Sequence, residues 1–300
     1  MRFLRVAIAL MVIMGSAMAA AADQQLTLQQ VIAKHLASIG TPEALAKVQT
    51  RVAEGRSKFE NVNAGGYIEG KATVASLAAN NRLVMKFPKP DYPGEDMITD
   101  GNKVQVFGRP QRSALGFFIY NQGTPLLTEG LLEGTLSTAW PLLDPKLRSA
   151  KVTYNGLKTI DGQQLHEVRY EPKKRTDIEI RLYFSKDDFR HVLTIANLTV
   201  SPRLVSNVSP DAALQGGTIG PLTAAMSSGP EAANAAQSVI RYRIEERFSD
   251  FAQFDGMTFP TTFQIRYDLE GQRQAHQRYT TTIKDVINTV SLDPHSFEIT

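Results

Sequence analysis

Apolar and polar residues alternate along much of the chain after residue 50. Over 177–184 every second side chain is apolar, and the same period recurs over 240–248 and 263–267. A two-residue period places the apolar set on one face of a β-strand. Residue pairs typical of tight hairpin turns separate such runs, as Asp-Gly or Glu-Gly at 100–101, 161–162, 255–256 and 270–271. The pattern predicts roughly ten antiparallel strands that form a sheet with one buried apolar face, the dry face, and one solvent-exposed face, the wet face.

Two short helices are predicted before the strands. Thr27 and Gln30 form a capping-box pattern ahead of apolar residues at helical spacing, and Gly40 stands where a C-cap is expected. Thr41 and Pro42 then open a second helix, because proline is favoured at the first helical position. With no recurring βαβ unit, the fold class is α+β.

The stretch from Ser113 to Pro145 is the predicted cover for the dry face. It contains the only tryptophan, Trp140, and no charged residue lies between Arg112 and Glu129. Glycines and prolines break it into short helical pieces, which favour an apolar cavity within a curled sheet. A solidly packed core is the alternative. The predicted cavity-lining residues are Met85, Met97, Phe117, Phe118, Tyr120, Leu127, Leu131, Trp140, Ile180, Leu182, Tyr242 and Ile244.

Residues 1–22 read as an export signal. Arg2 and Arg5 precede the apolar stretch 6–14, and the small residues at 17 and 19 form a cleavage site. We therefore expect cleavage near 19–22, a periplasmic location, no stable membrane insertion afterwards, and a single domain over 23–300.

Residues 204–240 contain only two charged residues, Asp211 and Glu231, together with several prolines, glycines and alanines. This composition predicts a flexible insertion between two strands. The alternative is a flap over the cavity mouth, because the stretch also carries large apolar side chains.

Composition excludes several classes of chemistry. The 300 residues include no cysteine, which removes thiol catalysis, iron–sulfur clusters and cysteine-ligated zinc. The net charge of +3, from 33 basic and 30 acidic residues, gives no large excess of positive charge with which to bind nucleic acid. No nucleophile-elbow, zinc-protease or phosphate-loop motif occurs. We therefore predict no enzyme, cofactor or metal site, and assign His166 and His191 to a hydrogen-bonded core.

Three pieces of the chain resemble bacterial LolA-type lipoprotein-sorting proteins. They are residues 81–88 (NRLVMKFP), the hairpin 99–107 (TDGNKVQVF) and the C-terminal stretch 283–299. The resemblance implies an incomplete antiparallel barrel, a half-barrel, wrapped around short helices and holding an apolar cavity that carries acyl chains across the periplasm. An arginine latches the lid in that family, and the matching place here falls near Asn80 and Asn81.

Two functional hypotheses follow from these observations. In the first, the chain binds lipid or the acyl chains of lipoproteins, with Arg82, Arg241 and Arg243 as candidate contacts for an acidic headgroup. A simpler interpretation of Arg241 and Arg243 is that they lie on a solvent-exposed strand face. In the second, it is an envelope adaptor with a filled barrel that binds a protein partner through a sheet edge or the 204–240 insertion. Catalysis through His166 or His191 is a weaker third possibility.

Overall fold

The computed structural model describes residues 26–62, 65–108, 113–143, 150–174, 176–200, 239–270 and 275–299. The predicted export signal and residues 204–238 of the predicted insertion lie outside the described residues. Within the described part of the chain, no helix is long and apolar enough to cross a membrane.

One antiparallel sheet dominates the described residues. Its strands lie in the order β5-β4-β3-β2-β1-β12-β11-β10-β9-β8-β7-β6, so β1 meets β12 in the middle and β5 and β6 form the two edges. The sheet does not close, which confirms the predicted half-barrel. It has twelve strands where roughly ten were predicted, because short strands such as β5 carry too few residues for a period to be recognised. The strands are β1 (Thr50–Asn61), β2 (Tyr67–Leu77), β3 (Asn80–Lys86), β4 (Gly94–Thr99), β5 (Val104–Val106), β6 (Lys151–Ile160), β7 (Gln163–Glu171), β8 (Ile178–Ser185), β9 (His191–Val200), β10 (Ile240–Phe254), β11 (Met257–Glu270) and β12 (Ala275–Asn288).

The two predicted leading helices are present as α1 (Leu28–Ile39) and α2 (Pro42–Lys47). The capping box forms as predicted, since the Thr27 hydroxyl accepts the Gln30 N–H and the Gln30 side chain accepts the Thr27 N–H. α1 ends at Gly40, whose backbone is extended. A Cβ there would lie 2.9 Å from Cγ of Met257, so glycine allows the helix end to pack closely on β11.

The alternating residues of the strands separate an inner apolar face from an outer face. On β8, Ile180, Leu182 and Phe184 are completely buried on the inner side, as predicted. The outer face is not uniformly wet, which corrects the prediction. The alternation predicted that the Tyr183 side chain is exposed to solvent. Tyr183 is instead buried in a small outer cluster whose other buried members are Leu165, Leu193 and Ile195.

Candidate functional site

Residues 113–143, called the inner segment below, lie against the inner face of the sheet. The segment contains α3 (Ala114–Phe118), a π-helical turn (Ile119–Gly123), α4 (Thr124–Thr128) and a 3-10 turn (Gly134–Leu136). Glycine and proline at the breaks explain why the helical pieces are short. Because the segment lies against the inner, apolar face of the sheet, the prediction that it covers this face is confirmed.

Apolar packing between the inner segment and the sheet is tight. The Phe118 ring lies 5.2 Å from the Tyr242 ring of β10, and the Trp140 ring stacks 4.5 Å from the His191 ring of β9. Phe118, Leu127, Leu131 and Trp140 are each at most 2% exposed. Side chains with almost no solvent-accessible surface do not border a void that could hold a water molecule. The space among these four residues is therefore filled by the protein's own atoms.

Polar contacts tie the inner segment to strands near the middle of the sheet. Arg51 of β1 is 2% exposed and donates from Nη1 to the Thr135 carbonyl at 2.7 Å. Its guanidinium also lies over the Phe259 ring, 4.2 Å from the centroid. Burial lowers the pKa of Arg51 to about 9. On β2, the Ser76 hydroxyl accepts the Thr138 N–H at 2.9 Å.

Two buried glutamates, Glu133 of the inner segment and Glu246 of β10, contact each other where the segment meets the sheet. The Glu133 N–H donates to Oε1 of Glu246 at 2.9 Å, and Asn81 Nδ2 of β3 contacts Oε2 of Glu133 at 2.5 Å. Burial raises the pKa of Glu133 to about 8, and burial together with the nearby Glu133 raises the pKa of Glu246. Glu133 also adopts a left-handed backbone, with φ of 65°.

A third buried carboxyl group anchors the start of the inner segment. Glu95 of β4 accepts hydrogen bonds from the hydroxyls of Tyr92, at 2.5 Å, Tyr279, at 2.8 Å, and Ser113. Ser113 also caps α3, because its hydroxyl accepts the Gly116 N–H. Burial raises the pKa of Glu95, while the three hydroxyl groups favour its charged form.

Two buried histidines hold Trp140. His35 of α1 accepts the indole N–H at Nε2, at 3.0 Å, so its Nδ1 carries the proton that is donated to the Phe189 carbonyl at 3.0 Å. Burial lowers the pKa of His35 to about 4. His191 is paired with the Thr194 hydroxyl through Nε2, and its Nδ1 has no hydrogen-bond partner.

A cleft of about 540 Å³ opens beside Trp140. Its lining comes from α2, from the β2–β3 and β4–β5 turns, and from the inner segment, with Lys173 on the opposite side of the open sheet. This volume lies in the range of small-molecule sites. The apolar residues that line it are Leu45, Ala46, Val48, Ala78, Ala79, Trp140 and Leu143.

Most of the predicted cavity residues lie in one interior core, but they do not surround an open space. Tyr120, in the π-helical turn, is 59% exposed, and Phe117, in α3, is half-buried. Trp140 is among the residues around the cleft just described, although only 1% of its surface is exposed. The residues placed in the packed core are Met85, Met97, Phe118, Leu127, Leu131, Trp140, Ile180, Leu182, Tyr242 and Ile244.

The three arginines that were predicted to contact a headgroup do not lie next to the apolar interior. Arg82, Arg241 and Arg243 occupy the strand positions that alternate with buried inner residues, and they therefore face outward. Arg82 makes two hydrogen bonds of 2.9 Å to Asp96, and Arg243 pairs with Glu245 at 2.8 Å.

Several residues of the site were missed from sequence, namely Arg51, Glu95, Glu133 and Glu246. One signal was available for Glu246, which occupies the inward position between Ile244 and Phe248 on β10. A carboxyl group at an inward position of an amphipathic strand indicates a buried polar contact. Asn81, near the place to which the family resemblance pointed, does contact the inner segment through Glu133.

Neither a protein-family model nor a curated protein matches the chain. Among solved structures, it is similar to the LolA superfamily protein NE2245 from Nitrosomonas europaea, at 11% identity and a TM-score of 0.48, with 91% of this chain and 98% of that chain covered. It is also similar to a putative outer membrane lipoprotein-sorting protein domain from Vibrio parahaemolyticus, at 8% identity and a TM-score of 0.43, covering 89% and 95% of the two chains.

A third similar structure is a DUF1329 family protein from Desulfovibrio piger, at 9% identity and a TM-score of 0.39, with 91% of this chain and 97% of that chain covered.

Proposed function

We propose that this chain is an exported, non-catalytic binding protein that takes an acyl chain of a lipid or lipoprotein between the inner segment and the sheet. The observation that carries the proposal is the cleft of about 540 Å³ with Trp140 and Leu143 in its lining. Trp140 belongs both to the surroundings of the cleft and to the apolar core. The lining also includes Asp100, Glu129 and Lys173, so its apolar part alone would contact an acyl chain.

The driving force is the removal of methylene groups from water. Each buried methylene contributes about 0.8 kcal/mol, so ten contribute on the order of 8 kcal/mol before ordering costs. That free energy corresponds to roughly micromolar affinity. Because the interior is filled, deep binding requires the inner segment to move, and the cost of that movement lowers the affinity.

The placement of the candidate bases supports a non-catalytic role. His166 is 4% exposed and His191 is 2% exposed, and both contact other side chains. His166 Nδ1 pairs with the Tyr154 hydroxyl at 2.7 Å, and its ring stacks on Phe189. A general base has to come within hydrogen-bond reach of its substrate, and these rings are enclosed.

The adaptor alternative depends on the edge strand β6. This ten-residue strand pairs with β7 along one side, which leaves its other side to accept a partner strand. Lys151 and Lys158, together with the irregular pairing between Tyr154 and Leu157, are features that discourage strand addition. The cleft therefore favours ligand binding over edge pairing.

The single tryptophan makes uptake directly measurable. A brominated fatty acid bound in the cleft would quench Trp140 fluorescence, and we expect saturable quenching of the purified protein. Ala79→Phe places a bulky ring in the cleft and should weaken binding at least tenfold. Ala33→Phe, on the exposed side of α1, is the matched control and should bind like wild type.

Two results would contradict the proposal. One is the absence of quenching in the wild-type protein at fatty acid concentrations below the onset of micelles. The other is equal affinity of wild type and Ala79→Phe, which would place the ligand elsewhere.

A further inference from the structure

The contact between Glu133 and Glu246 is unusual in its charge balance. Both carboxyl groups are at most 1% exposed, and no ion pair among the described residues includes either of them. An ionised carboxylate without a cation is costly to bury, and two adjacent ones repel each other as well. The closed arrangement therefore requires protons on these groups.

Few hydrogen bonds offset the burial of the pair. Glu133 accepts one from the Asn81 amide, and Glu246 accepts one from the Glu133 N–H. Both bonds favour the charged forms, but burial has the larger effect and raises the pKa of each carboxyl group. Oε1 of Glu133 has no hydrogen-bond partner.

We infer that Glu133 and Glu246 form a proton-held latch, which keeps the inner segment on the sheet while the carboxyl groups are protonated and releases it when they ionise. The latch joins three distant parts of the chain, since Asn81 lies on β3, Glu133 in the inner segment and Glu246 on β10. Release would expose the carboxylates to water and open the apolar interior.

Other titratable groups that meet the inner segment differ in the sign of their effect. Arg51 is a cation at the Thr135 carbonyl, and Glu95 is held by three hydroxyl groups at Ser113. The histidines at Trp140 resist protonation while buried, so they favour opening only as the pH falls below about 6.5. The groups that face the segment are His35 of α1, Arg51 of β1, Tyr92 before β4, Glu95 of β4, Tyr170 of β7, His191 of β9, and Tyr242, Tyr267 and Tyr279 of β10, β11 and β12.

The expected dependence on pH follows from linkage. The pKa of Glu133 is about 8 in the closed state, against an ordinary value of 4.5 for an exposed carboxyl group. Between those values the opening constant rises up to tenfold per pH unit for each proton released, and it levels off above the closed-state value. An exposed histidine is about half protonated at pH 6.5, so each buried histidine opposes this rise by at most about twofold between pH 6.5 and 8.

Amide hydrogen exchange of the full-length protein tests the latch. Protection factors of residues 126–140, corrected for intrinsic exchange, should fall at least about fourfold in wild type between pH 6.5 and 8, while the outer strands change little. Glu133→Gln stays neutral and should flatten this dependence, and Glu246→Gln should do the same if the first variant folds poorly. Glu54→Gln, on an exposed strand position, is the matched control and should behave like wild type.

An unchanged pH response in both buried-site variants, or no response in wild type, would overturn the latch. The consequence for uptake rests on the proposed function, but the exchange measurement does not. If exchange shows the latch and Trp140 is not quenched by a brominated fatty acid at pH 8, the latch stands and the lipid proposal fails. If quenching occurs without a pH-dependent latch, the opposite holds.

Discussion

The sheet and the inner segment satisfy their polar groups to different degrees. The sheet's twelve strands pair continuously from β5 to β6. The inner segment is built from helices of only five residues, which satisfy few of their backbone polar groups internally. Among the described residues, five buried side-chain atoms lack a hydrogen-bond partner. Three of them, in Asn81, Glu133 and His191, lie where the segment meets the sheet.

This difference indicates which part of the molecule can change its position. Buried unpaired polar atoms cost free energy in the closed state. The sheet has continuous strand pairing and remains the fixed scaffold. We expect the inner segment to open at a lower free energy than the sheet unfolds.

The largest expected effect comes from the sheet side of the core. Phe263 of β11 is 1% exposed, and its ring stacks 5.3 Å from that of Phe248. Phe263→Ala should lower the free energy of unfolding by about 3–5 kcal/mol, because it removes contacts and leaves a cavity. Urea unfolding followed by circular dichroism measures it. Tyr67→Ala, at a side chain 62% exposed, should cost less than about 1 kcal/mol.

A matching change in the inner segment sharpens the comparison. Leu131 has no exposed surface, and Leu131→Ala should lower the local opening free energy of the segment by about 3 kcal/mol. Hydrogen exchange should show this loss in residues 126–140 and a smaller loss in the sheet. An equal loss of protection in both regions would mean that they open as one cooperative unit.

Acid should weaken the closed state through His35. Its pKa is about 4 when buried, mainly because of desolvation, and about 6.5 when exposed. The unfolded chain therefore binds the proton first, and stability is lost as pH falls from 6.5 towards 4, by up to about 1.4 kcal/mol per pH unit. Glu133 acts with the opposite sign, since its raised pKa favours the closed state at lower pH.

The contribution of His35 is best measured as a difference between variants. Free energies of unfolding at pH 7, 6 and 5 should fall less steeply in His35→Gln than in wild type. His295→Gln, at an exposed residue paired with Glu298, should keep the wild-type slope on the acid side. Identical slopes for wild type and His35→Gln would contradict the proposed burial of a neutral imidazole.

The smallest effect is expected on the outer face. Arg82 pairs with Asp96, and both side chains are partly exposed, so Arg82→Ala should cost about 1 kcal/mol or less. It should leave Trp140 quenching by a brominated fatty acid unchanged, because Arg82 faces away from the inner segment. Weaker fatty acid binding in this variant would restore Arg82 as a headgroup contact.

Local patterns account for what could be predicted. The capping box at Thr27, the alternation along β8 and the covering role of the inner segment each depend on residues close together in sequence. The buried polar contacts do not. Glu133 and Glu246 are 113 residues apart, and Arg51 and Thr135 are 84 apart. No local period relates such positions, and the outer cluster around Tyr183 was missed for the same reason.

By itself, the sequence determined the element types and the identity of the inner face, because hydrophobic periodicity and turn residues act over a few neighbours. Only the tertiary structure decided that the interior is filled, that three arginines face outward, and that two acids meet within the core. Those outcomes depend on how distant strands and the inner segment align, and burial then changes the protonation of the groups that meet there.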